Sequence, residues 1–224
     1  MAIRHWGRGG LALLLAACGG ALAGCAGVAT AEPRNLQIAK REVRAYFDRG
    51  DYQRDVAAVA RQAQEWVERR AAQGGAGLTV VFDVDETLLS NWAYFLAQDF
   101  GYVPAAWRQW VEEARAPAIE PVREVLRAAR RAGLEVVLIT GRRERDRAGT
   151  ERNLRAVACG DYTQLLCQPN DGSDSSADFK TAQRRALAAQ GKVIIANIGD
   201  QETDLAGGFA ERTFKLPNPF YLME

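Results

Sequence analysis

Histidine is almost missing from this sequence. The 224 residues include a single histidine, His5, and it lies in a leading stretch with the pattern of a targeting signal. Once that stretch is removed, the folded protein contains none. This excludes serine–histidine–aspartate hydrolysis, phosphohistidine chemistry and histidine-ligated zinc or iron. Catalysis by this chain must therefore use carboxylates, lysine, hydroxyl groups and a hard metal ion.

An excess of charge of one sign is also missing. The formal net charge is +1, and hydrophobic and charged residues make up 48% and 25% of the chain. These shares are typical of a globular protein, and they exclude a disordered or fibrous chain. Without a basic excess, nothing indicates nucleic acid as a partner.

The first residues have the features of an export signal. Arg4 and Arg8 form a basic start, and residues 9–31 carry no charge. The run Leu22-Ala23-Gly24-Cys25 resembles the lipobox of bacterial lipoproteins. That resemblance implies cleavage before Cys25 and acylation of its new amino terminus.

This interpretation predicts a signal peptide over residues 1–24 and a linker over residues 25–34. The protein would then be exported to the bacterial periplasm and anchored by lipid, at the outer membrane. Two alternatives stay open, namely a second lipobox match ending at Cys18 and an uncleaved transmembrane helix.

Two cysteines remain beyond the signal, Cys159 and Cys167. In an oxidising compartment two such cysteines are a natural pair, so we predict a disulfide between them. Their spacing matches no zinc site. Neither has an arginine six residues later, which argues against a cysteine-phosphatase loop.

Apolar runs typical of buried strands alternate with helical patterns through residues 78–216. The alternation predicts an α/β fold, with a parallel sheet of about five strands and helices on both faces. A helical region broken at Gly50-Asp51 precedes the sheet over residues 35–72. The predicted strands are residues 78–83, 134–140, 164–168, 192–199 and 213–216, and the later helices are 120–132, 143–158 and 179–190.

Residues 91–118 do not fit this alternation. The segment is rich in aromatic residues and follows the acidic loop after the first strand. We interpret it as a small helical cap with its own core, lying over the active site. Trp92 and Tyr94 are candidates for substrate contacts there.

Polar side chains follow three of the predicted strands. The first strand ends in Asp83-Val84-Asp85-Glu86-Thr87, the second in Thr140-Gly141-Arg142, and another in the run from Gly199-Asp200 to Asp204. Ligands of open parallel sheets bind outside the carboxyl ends of the strands. Clustered carboxylates at such a place need a cation or protons to neutralise them.

The chemistry of this cluster suits magnesium and phosphate. Asp83 and Asp200, with Asp204 as a further candidate, offer the hard oxygen ligands that Mg²⁺ prefers. Lys180 begins a helix and supplies positive charge. Thr140 offers a hydroxyl, and the turn after it at Gly141 offers backbone N–H groups for phosphate oxygens.

The set resembles the four motifs of the haloacid dehalogenase (HAD) superfamily. Asp83 to Thr87 looks like its DxDxT motif, Thr140 its second motif, Lys180 its third, and Gly199-Asp200 through Asp204 its fourth. The order and spacing agree over residues 78–216. The resemblance implies a three-layer α/β/α, Rossmann-like fold and a phosphatase domain over residues 35–224, with the cap at 91–118.

The chain more closely resembles the acid phosphatases that include plant acid phosphatases, vegetative storage proteins and bacterial lipoprotein acid phosphatases (subfamily IIIB). Three runs carry this resemblance: 82–91, Phe179-Lys180-Thr181, and the stretch from Arg212 to Pro219. It implies hydrolysis of phosphate monoesters, with nucleoside monophosphates as candidate substrates. Many members of the family that it resembles self-associate, so a homo-oligomer stays open as an alternative to a monomer.

The resemblance also implies roles. Asp83 would attack phosphorus to form a phosphoaspartyl intermediate, and Asp85 would act as general acid and then as general base. Mg²⁺ would be held by Asp83, the carbonyl of Asp85 and Asp200, while Asp204 would orient a metal-bound water or Lys180. Thr140 and Lys180 would hold the other phosphate oxygens.

Other activities remain as alternatives. Asp85 argues against a dehalogenase, which needs no second acid, and an ion-pumping ATPase would carry lysine at that position. A phosphotransferase of the same fold stays open, as does a non-catalytic lipoprotein that binds or stores phosphate esters. The retained Asp83 favours catalysis.

Overall fold

The computed structural model describes residues 32–172 and 174–223. Contacts divide the chain into two compact units, 1–34 and 35–224. The predicted signal peptide and the predicted lipidation site at Cys25 lie outside the described residues. Within the described ranges, no helix combines the length and the apolar character needed to cross a bilayer.

The second unit contains a parallel sheet of five strands in the order β3-β2-β1-β4-β5. The predicted α/β fold is therefore confirmed. The central strand β1 pairs with β2 on one side and with β4 on the other. The strands are β1 Leu78–Phe82, β2 Glu135–Arg143, β3 Gln164–Gln168, β4 Val193–Gly199 and β5 Thr213–Lys215.

Helices precede the sheet and connect its strands. Two of them, α3 and α4, fall within the predicted cap, and a short 3₁₀ turn at Glu144–Asp146 precedes α6. The helices are α1 Leu36–Asp48, α2 Asp51–Ala72, α3 Trp92–Ala97, α4 Pro104–Glu113, α5 Glu120–Arg131, α6 Arg147–Ala156, α7 Ser176–Ala189 and α8 Glu202–Leu205.

The break between α1 and α2 lies where Gly50-Asp51 predicted it. Gly50 has a φ of 78°, a left-handed conformation that costs glycine little. Asn35 caps α1, accepting hydrogen bonds from the backbone of Gln37 and Ile38. The turn lets α2 cover the sheet while α1 approaches the cap.

Alternate residues of β1 enter two separate apolar cores. Val80 and Phe82 pack in the larger core with the buried faces of α2 and α5, whereas Val81 packs in a second core with Phe179 of α7. Successive side chains of a strand point to opposite faces of a sheet. The central strand is thus covered on both faces, as its continuous β-branched sequence predicted.

The predicted disulfide is wrong for this structure, because Cys159 and Cys167 are both buried free thiols. Cys159 follows α6, before β3 begins, and Cys167 lies near the carboxyl end of β3. Disulfides need Cα atoms within about 7 Å. Cys167 thus lies on β3, whereas Cys159 lies in the connection before that strand, and the two thiols are not paired.

Strand β2 is longer than its apolar sequence predicted. It continues past Thr140 to Arg143, and its register with β3 shifts between those two residues. The sequence predicted a turn directly after Thr140. The extension places Arg142 on the strand edge, beside the acids that follow β1.

Candidate active site

Three strand ends meet at one edge of the sheet. Asp83 follows β1, Asp200 follows β4, and Thr140 lies near the end of β2. Because β1 lies between the other two strands, the predicted acids and the hydroxyl converge. This edge is where open parallel sheets bind ligands.

Asp83, Asp200 and Asp204 form a cluster of buried carboxylates. One oxygen of each lies within 4.8 Å of the others, and all three residues are at most 5% exposed. Burial raises the pKa of Asp83 well above its usual value; Lys180 opposes this effect, and the neighbouring acids add to it. Burial and neighbouring acids also raise the pKa of Asp200 to about 7. The cluster holds more negative charge than its own cation neutralises, which favours binding a metal cation.

Lys180 is the cation inside this cluster. It is 4% exposed, and its Nζ lies 2.5 Å from Asp83 Oδ1 and 2.5 Å from Asp204 Oδ1. Desolvation lowers its pKa, but the carboxylates of Asp204 and Asp83 outweigh that effect and raise the pKa above its ordinary value. Lys180 therefore carries a fixed positive charge. Asp83 Oδ2 accepts no hydrogen bond from the described residues, which leaves that oxygen for a metal or for phosphorus.

Asp204 is held in place from two directions. Its Oδ1 accepts the bond from Lys180, and its Oδ2 accepts a hydrogen bond of 2.7 Å from the backbone N–H of Gln201. Gly199 makes this arrangement possible, because a Cβ there would lie 2.5 Å from Asp204 Cβ and Oδ2. Both carboxylate oxygens of Asp204 are therefore held in place, one of them by Lys180.

Asp85 lies outside the metal-like cluster and is held by arginine. Arg142 donates to it through Nε, at 3.1 Å to both oxygens, and through Nη2 at 2.7 Å to Oδ1. The guanidinium also contacts Thr150 and lies over the ring of Trp107 in the cap, 5.4 Å from its centroid. The guanidinium of Arg142 therefore fixes the orientation of the Asp85 carboxylate.

Sequence reasoning assigned no role to Arg142, because arginines after a strand are usually exposed. Here the residue is 4% exposed. Desolvation lowers its pKa, but the carboxylates of Asp85, Glu86 and Asp83 raise it further, so the charge is retained. The sequence signal that could have identified Arg142 is its position two residues after Thr140, on the strand beside the one that ends in Asp83-Val84-Asp85.

Thr140 and Gly141 occupy the predicted place beside the acids. Thr140 is fully buried, and its Oγ1 accepts a hydrogen bond of 3.1 Å from the N–H of Arg142. The hydroxyl hydrogen remains available to donate to an oxygen in the site. Gly141 lines the cleft, and a Cβ there would meet only Ser176 Oγ at 3.5 Å.

Glu86 and Asn91 form a buried network that sequence reasoning missed. Asn91 donates to Glu86 through its backbone N–H and its side chain, and also to Asp85 Oδ1 at 2.8 Å. Trp110 of the cap donates in turn to Asn91 Oδ1. Burial and the charge of Asp85 raise the pKa of Glu86 to about 8. The network fixes the loop that carries Asp83 and Asp85 and joins it to the cap.

A cleft of about 630 Å³ opens above these acids. Its phosphate end is lined by Asp83, Asp85, Lys180 and Asp200. Its other walls carry aromatic and basic side chains from the cap, from the end of β2 and the 3₁₀ turn after it, and from the stretch after β5. These wall residues are Phe95, Tyr102, Trp107, Arg108, Arg143, Arg145 and Tyr221.

The predicted substrate contacts Trp92 and Tyr94 do not line this cleft. Trp92 stacks on Phe47 of α1, with ring centroids 4.0 Å apart, and Tyr94 is 3% exposed, with its hydroxyl bonded to the backbone of Val103. The prediction was wrong because Tyr94 lies in the larger apolar core and Trp92 packs against it, so the cap shares that core with the sheet. Phe95 and other cap aromatics take the wall positions instead.

Fold and site together define a class of protein. An aspartate at the end of the central strand, a second aspartate two residues later, a buried lysine and an acid pair after β4 are the arrangement of a HAD-type phosphatase. The family model described as HAD superfamily, subfamily IIIB (Acid phosphatase) matches residues 23–224. The chain belongs to this family, and it is an acid phosphatase of the HAD superfamily, a phosphoric monoester hydrolase.

Relatives agree with this assignment. Acid phosphatase 1 of Solanum lycopersicum is 34% identical over 185 residues, covering 80% of this chain and 72% of its own. Vegetative storage protein 1 of Arabidopsis thaliana is 28% identical over 204 residues, covering 87% and 76%. The class C acid phosphatase from Bacillus anthracis superposes with a TM-score of 0.68 at 22% identity, covering 84% of this chain and 87% of that one. The last comparison supports the fold.

Proposed function

We propose that this chain is a Mg²⁺-dependent acid phosphatase that works through a phosphoaspartyl intermediate on Asp83. One observation carries the proposal. Asp83 lies at the floor of the cleft, with one oxygen on Lys180 and the other without a partner among the described residues, beside the carboxylates of Asp200 and Asp204. The arrangement suits a carboxylate nucleophile beside a divalent cation.

The residues present fit magnesium. The candidate ligands are carboxylate oxygens of Asp83 and Asp200 and the carbonyl of Asp85, all hard oxygen donors. Burial, and after it the neighbouring acids, raise the pKa of Asp200, and a divalent ion would neutralise the negative charge gathered there. When bound, Mg²⁺ supplies charge neutralisation between the nucleophile and the incoming phosphate dianion.

In the first step Asp83 attacks phosphorus. A bond forms between its carboxylate oxygen and phosphorus while the bond from phosphorus to the leaving oxygen breaks. Asp85 passes a proton to that oxygen, because an alkoxide is a poor leaving group. General acid–base help of this kind contributes about 10²–10⁴ in rate.

In the second step water attacks the phosphorus of the phosphoaspartate. Asp85, now ionised, accepts the proton of that water, and the bond between phosphorus and Asp83 breaks. Inorganic phosphate leaves and both carboxyl groups return to their starting states. Lys180, the hydroxyl of Thr140 and the backbone at Gly141 hold the phosphate oxygens during both steps.

The outer cleft supports substrates with a planar leaving group. Aromatic side chains of the cap and Tyr221 line the walls beyond the reacting atoms, and rings of this kind stack on flat bases. We therefore place nucleoside monophosphates first among candidate substrates. A panel of nucleotides and sugar phosphates, compared by kcat/KM, tests this; equal values for both groups would remove the preference.

We also propose that the chain is exported and anchored by lipid on Cys25. The support is the lipobox resemblance at Leu22-Ala23-Gly24-Cys25. Radiolabelled palmitate should label the protein expressed in a Gram-negative host, and Cys25→Ser should abolish the label. Labelling that survives Cys25→Ser would point to Cys18 instead.

Hydrolysis of an aryl phosphate tests the main proposal. We expect activity with Mg²⁺, none in EDTA and none in Asp83→Asn. Asp161→Asn is the matched control, since this acid is exposed and pairs with Arg130 away from the cleft. Full activity of Asp83→Asn, or the same rate in EDTA, would contradict the mechanism.

A further inference from the structure

Residues 217–223 lie across the active site and are named here the closing segment. The sequence between Arg212 and Pro219 carried part of the family resemblance, yet the proposed chemistry assigns it no role. Tyr221, Leu222 and Met223 line the cleft. Two other contacts of the segment reach the acids directly.

Asn218 contacts one of the candidate metal ligands. Its Nδ2 donates to Asp200 Oδ2 at 2.7 Å, while its Oδ1 accepts from the backbone N–H of Phe220 at 2.8 Å. Thr87 and Gln201 are the other donors to Asp200. The three donors fix the plane of this carboxylate and leave fewer orientations open to it.

Tyr221 contacts the loop that carries the other acids. Its hydroxyl donates to Glu86 Oε2 at 3.0 Å, in the network that also holds Asp85 through Asn91. Burial and the surrounding acids raise the pKa of Tyr221 well above its ordinary value, so the hydroxyl stays a donor.

Backbone groups add a second connection to the loop after β4. Gln201 donates from its side chain to the carbonyl of Tyr221, and its Oε1 accepts from the N–H of Met223 at 3.0 Å. The closing segment therefore touches both acidic loops, the one after β1 and the one after β4.

Phe220 anchors the segment in the protein. It is 5% exposed, and its ring packs against Tyr52 at 5.1 Å and Trp92 at 4.9 Å between centroids. Packing alone would explain an apolar anchor. It does not explain why both polar side chains of the segment donate to buried acids, where each bond satisfies a buried acceptor and also restricts the orientation of its carboxylate.

We propose that the closing segment is a working part of the active site, in which Asn218 and Tyr221 are positioning residues for the metal-binding acids. Asn218 acts through Asp200, and Tyr221 acts through Glu86 on the loop of Asp83 and Asp85. Leu222 and Met223 line the cleft beside these acids. The inference rests on the proposed function, because it assumes a metal at Asp83 and Asp200.

Binding of Mg²⁺, measured by isothermal titration calorimetry on the full chain, tests the role of Asn218. Loss of a partner that orients a metal ligand typically weakens metal binding about 10–100-fold. Because Thr87 and Gln201 still hold Asp200, we expect Asn218→Ala to raise the Kd for Mg²⁺ about 10-fold. Asn35→Ala is the matched control, because it removes a helix cap far from the acids and should leave the Kd unchanged.

A second variant separates positioning from folding. Asn218→Ser retains a hydroxyl that can accept from the N–H of Phe220, as serine does in turns, but it is too short to reach Asp200. We expect the same rise in Kd with a melting temperature in EDTA close to that of the parent. A lower melting temperature with an unchanged Kd in either variant would overturn the proposal.

Tyr221→Phe tests the other contact, with Tyr46→Phe as its control, because Tyr46 donates to Asp55 away from the site. We expect Tyr221→Phe to lower kcat for phosphate monoesters severalfold, with KM little changed. Parent-like kcat in Tyr221→Phe would refute its role. The proposed function fails separately, if the parent protein hydrolyses no phosphate monoester at all.

Discussion

Lys180 offers the sharpest test of how the acid cluster is held together. Replacement by methionine keeps most of the side-chain volume and removes the charge. Each contact of 2.5 Å between its Nζ and Asp83 or Asp204 corresponds to about 7 kcal/mol of Coulomb attraction at an effective dielectric constant of about 20, before desolvation is subtracted. Breaking a buried pair by removing one partner costs about 3–5 kcal/mol net.

The expected change is measured by thermal unfolding in EDTA at pH 7.5. A loss of 1 kcal/mol lowers the melting temperature by about 2–4 °C for a domain of this size, so Lys180→Met should lower it by about 6–20 °C. Lys192→Met is the matched control. Lys192 pairs with Glu135 at the same distance of 2.5 Å but near the surface, where such a pair contributes about 0–1 kcal/mol.

The same variant has a defined pH dependence. Asp83 already has a pKa raised by burial, and loss of the ammonium raises it further above the unfolded value. At a pH between the unfolded and the folded pKa of Asp83, the folded state binds a proton that the unfolded state does not. The free energy of unfolding of the variant therefore increases as the pH falls. The difference in melting temperature between Lys180→Met and the parent should therefore become smaller from pH 7.5 towards pH 5. A variant as stable as Lys192→Met in EDTA at pH 7.5 would refute this reasoning.

Three further predictions follow from the structure. Arg142→Gln removes the guanidinium that orients Asp85 and should lower kcat/KM for alkyl phosphates by about 10–100-fold. The loss should be smaller for aryl phosphates, because their better leaving groups need less protonation. Equal losses for both kinds of substrate would contradict this prediction. Gly199→Ala should displace Asp204, which would be seen as weaker Mg²⁺ binding and lower kcat, and a fully active variant would contradict it. Burial raises the pKa of the Cys159 and Cys167 thiols to about 11. At pH 8 they should react with a disulfide reagent at least about 10-fold more slowly in the folded than in the unfolded protein. Equally fast labelling would show the thiols to be accessible in the folded protein.

The sheet and its acidic edge could be predicted because their signals are local. A β-branched run that ends in Asp83 and another that ends at Gly199-Asp200 specify buried parallel strands whose carboxyl ends meet. Lys180 lies 97 residues from Asp83, and its place was available only from the family resemblance, because a lysine on a helix is ordinarily solvated.

The parts that sequence reasoning missed depend on contacts between distant residues. Arg142 is buried because β2 continues beyond the apolar run that defined it. Glu86 is held by Asn91 in its own loop and also by Tyr221, which lies 135 residues away. Trp92 and Phe95 are three residues apart on one short helix, yet Trp92 enters the core and Phe95 lines the cleft. Aromatic content predicts a cap but not which ring faces the substrate, because that depends on how the cap is seated.

The closing segment also affects how the domain unfolds. Its contacts join the loop after β1, the loop after β4 and, through Phe220, the pair of helices that precedes the sheet. A ligand that binds only the folded site stabilises the protein by about 2.7 kcal/mol at a free concentration of 100 times its Kd. Because the site draws on residues from so much of the chain, that stabilisation should be shared by the sheet and the leading helices alike. Amide exchange of α2, which contributes no ligand, should therefore slow when Mg²⁺ is added.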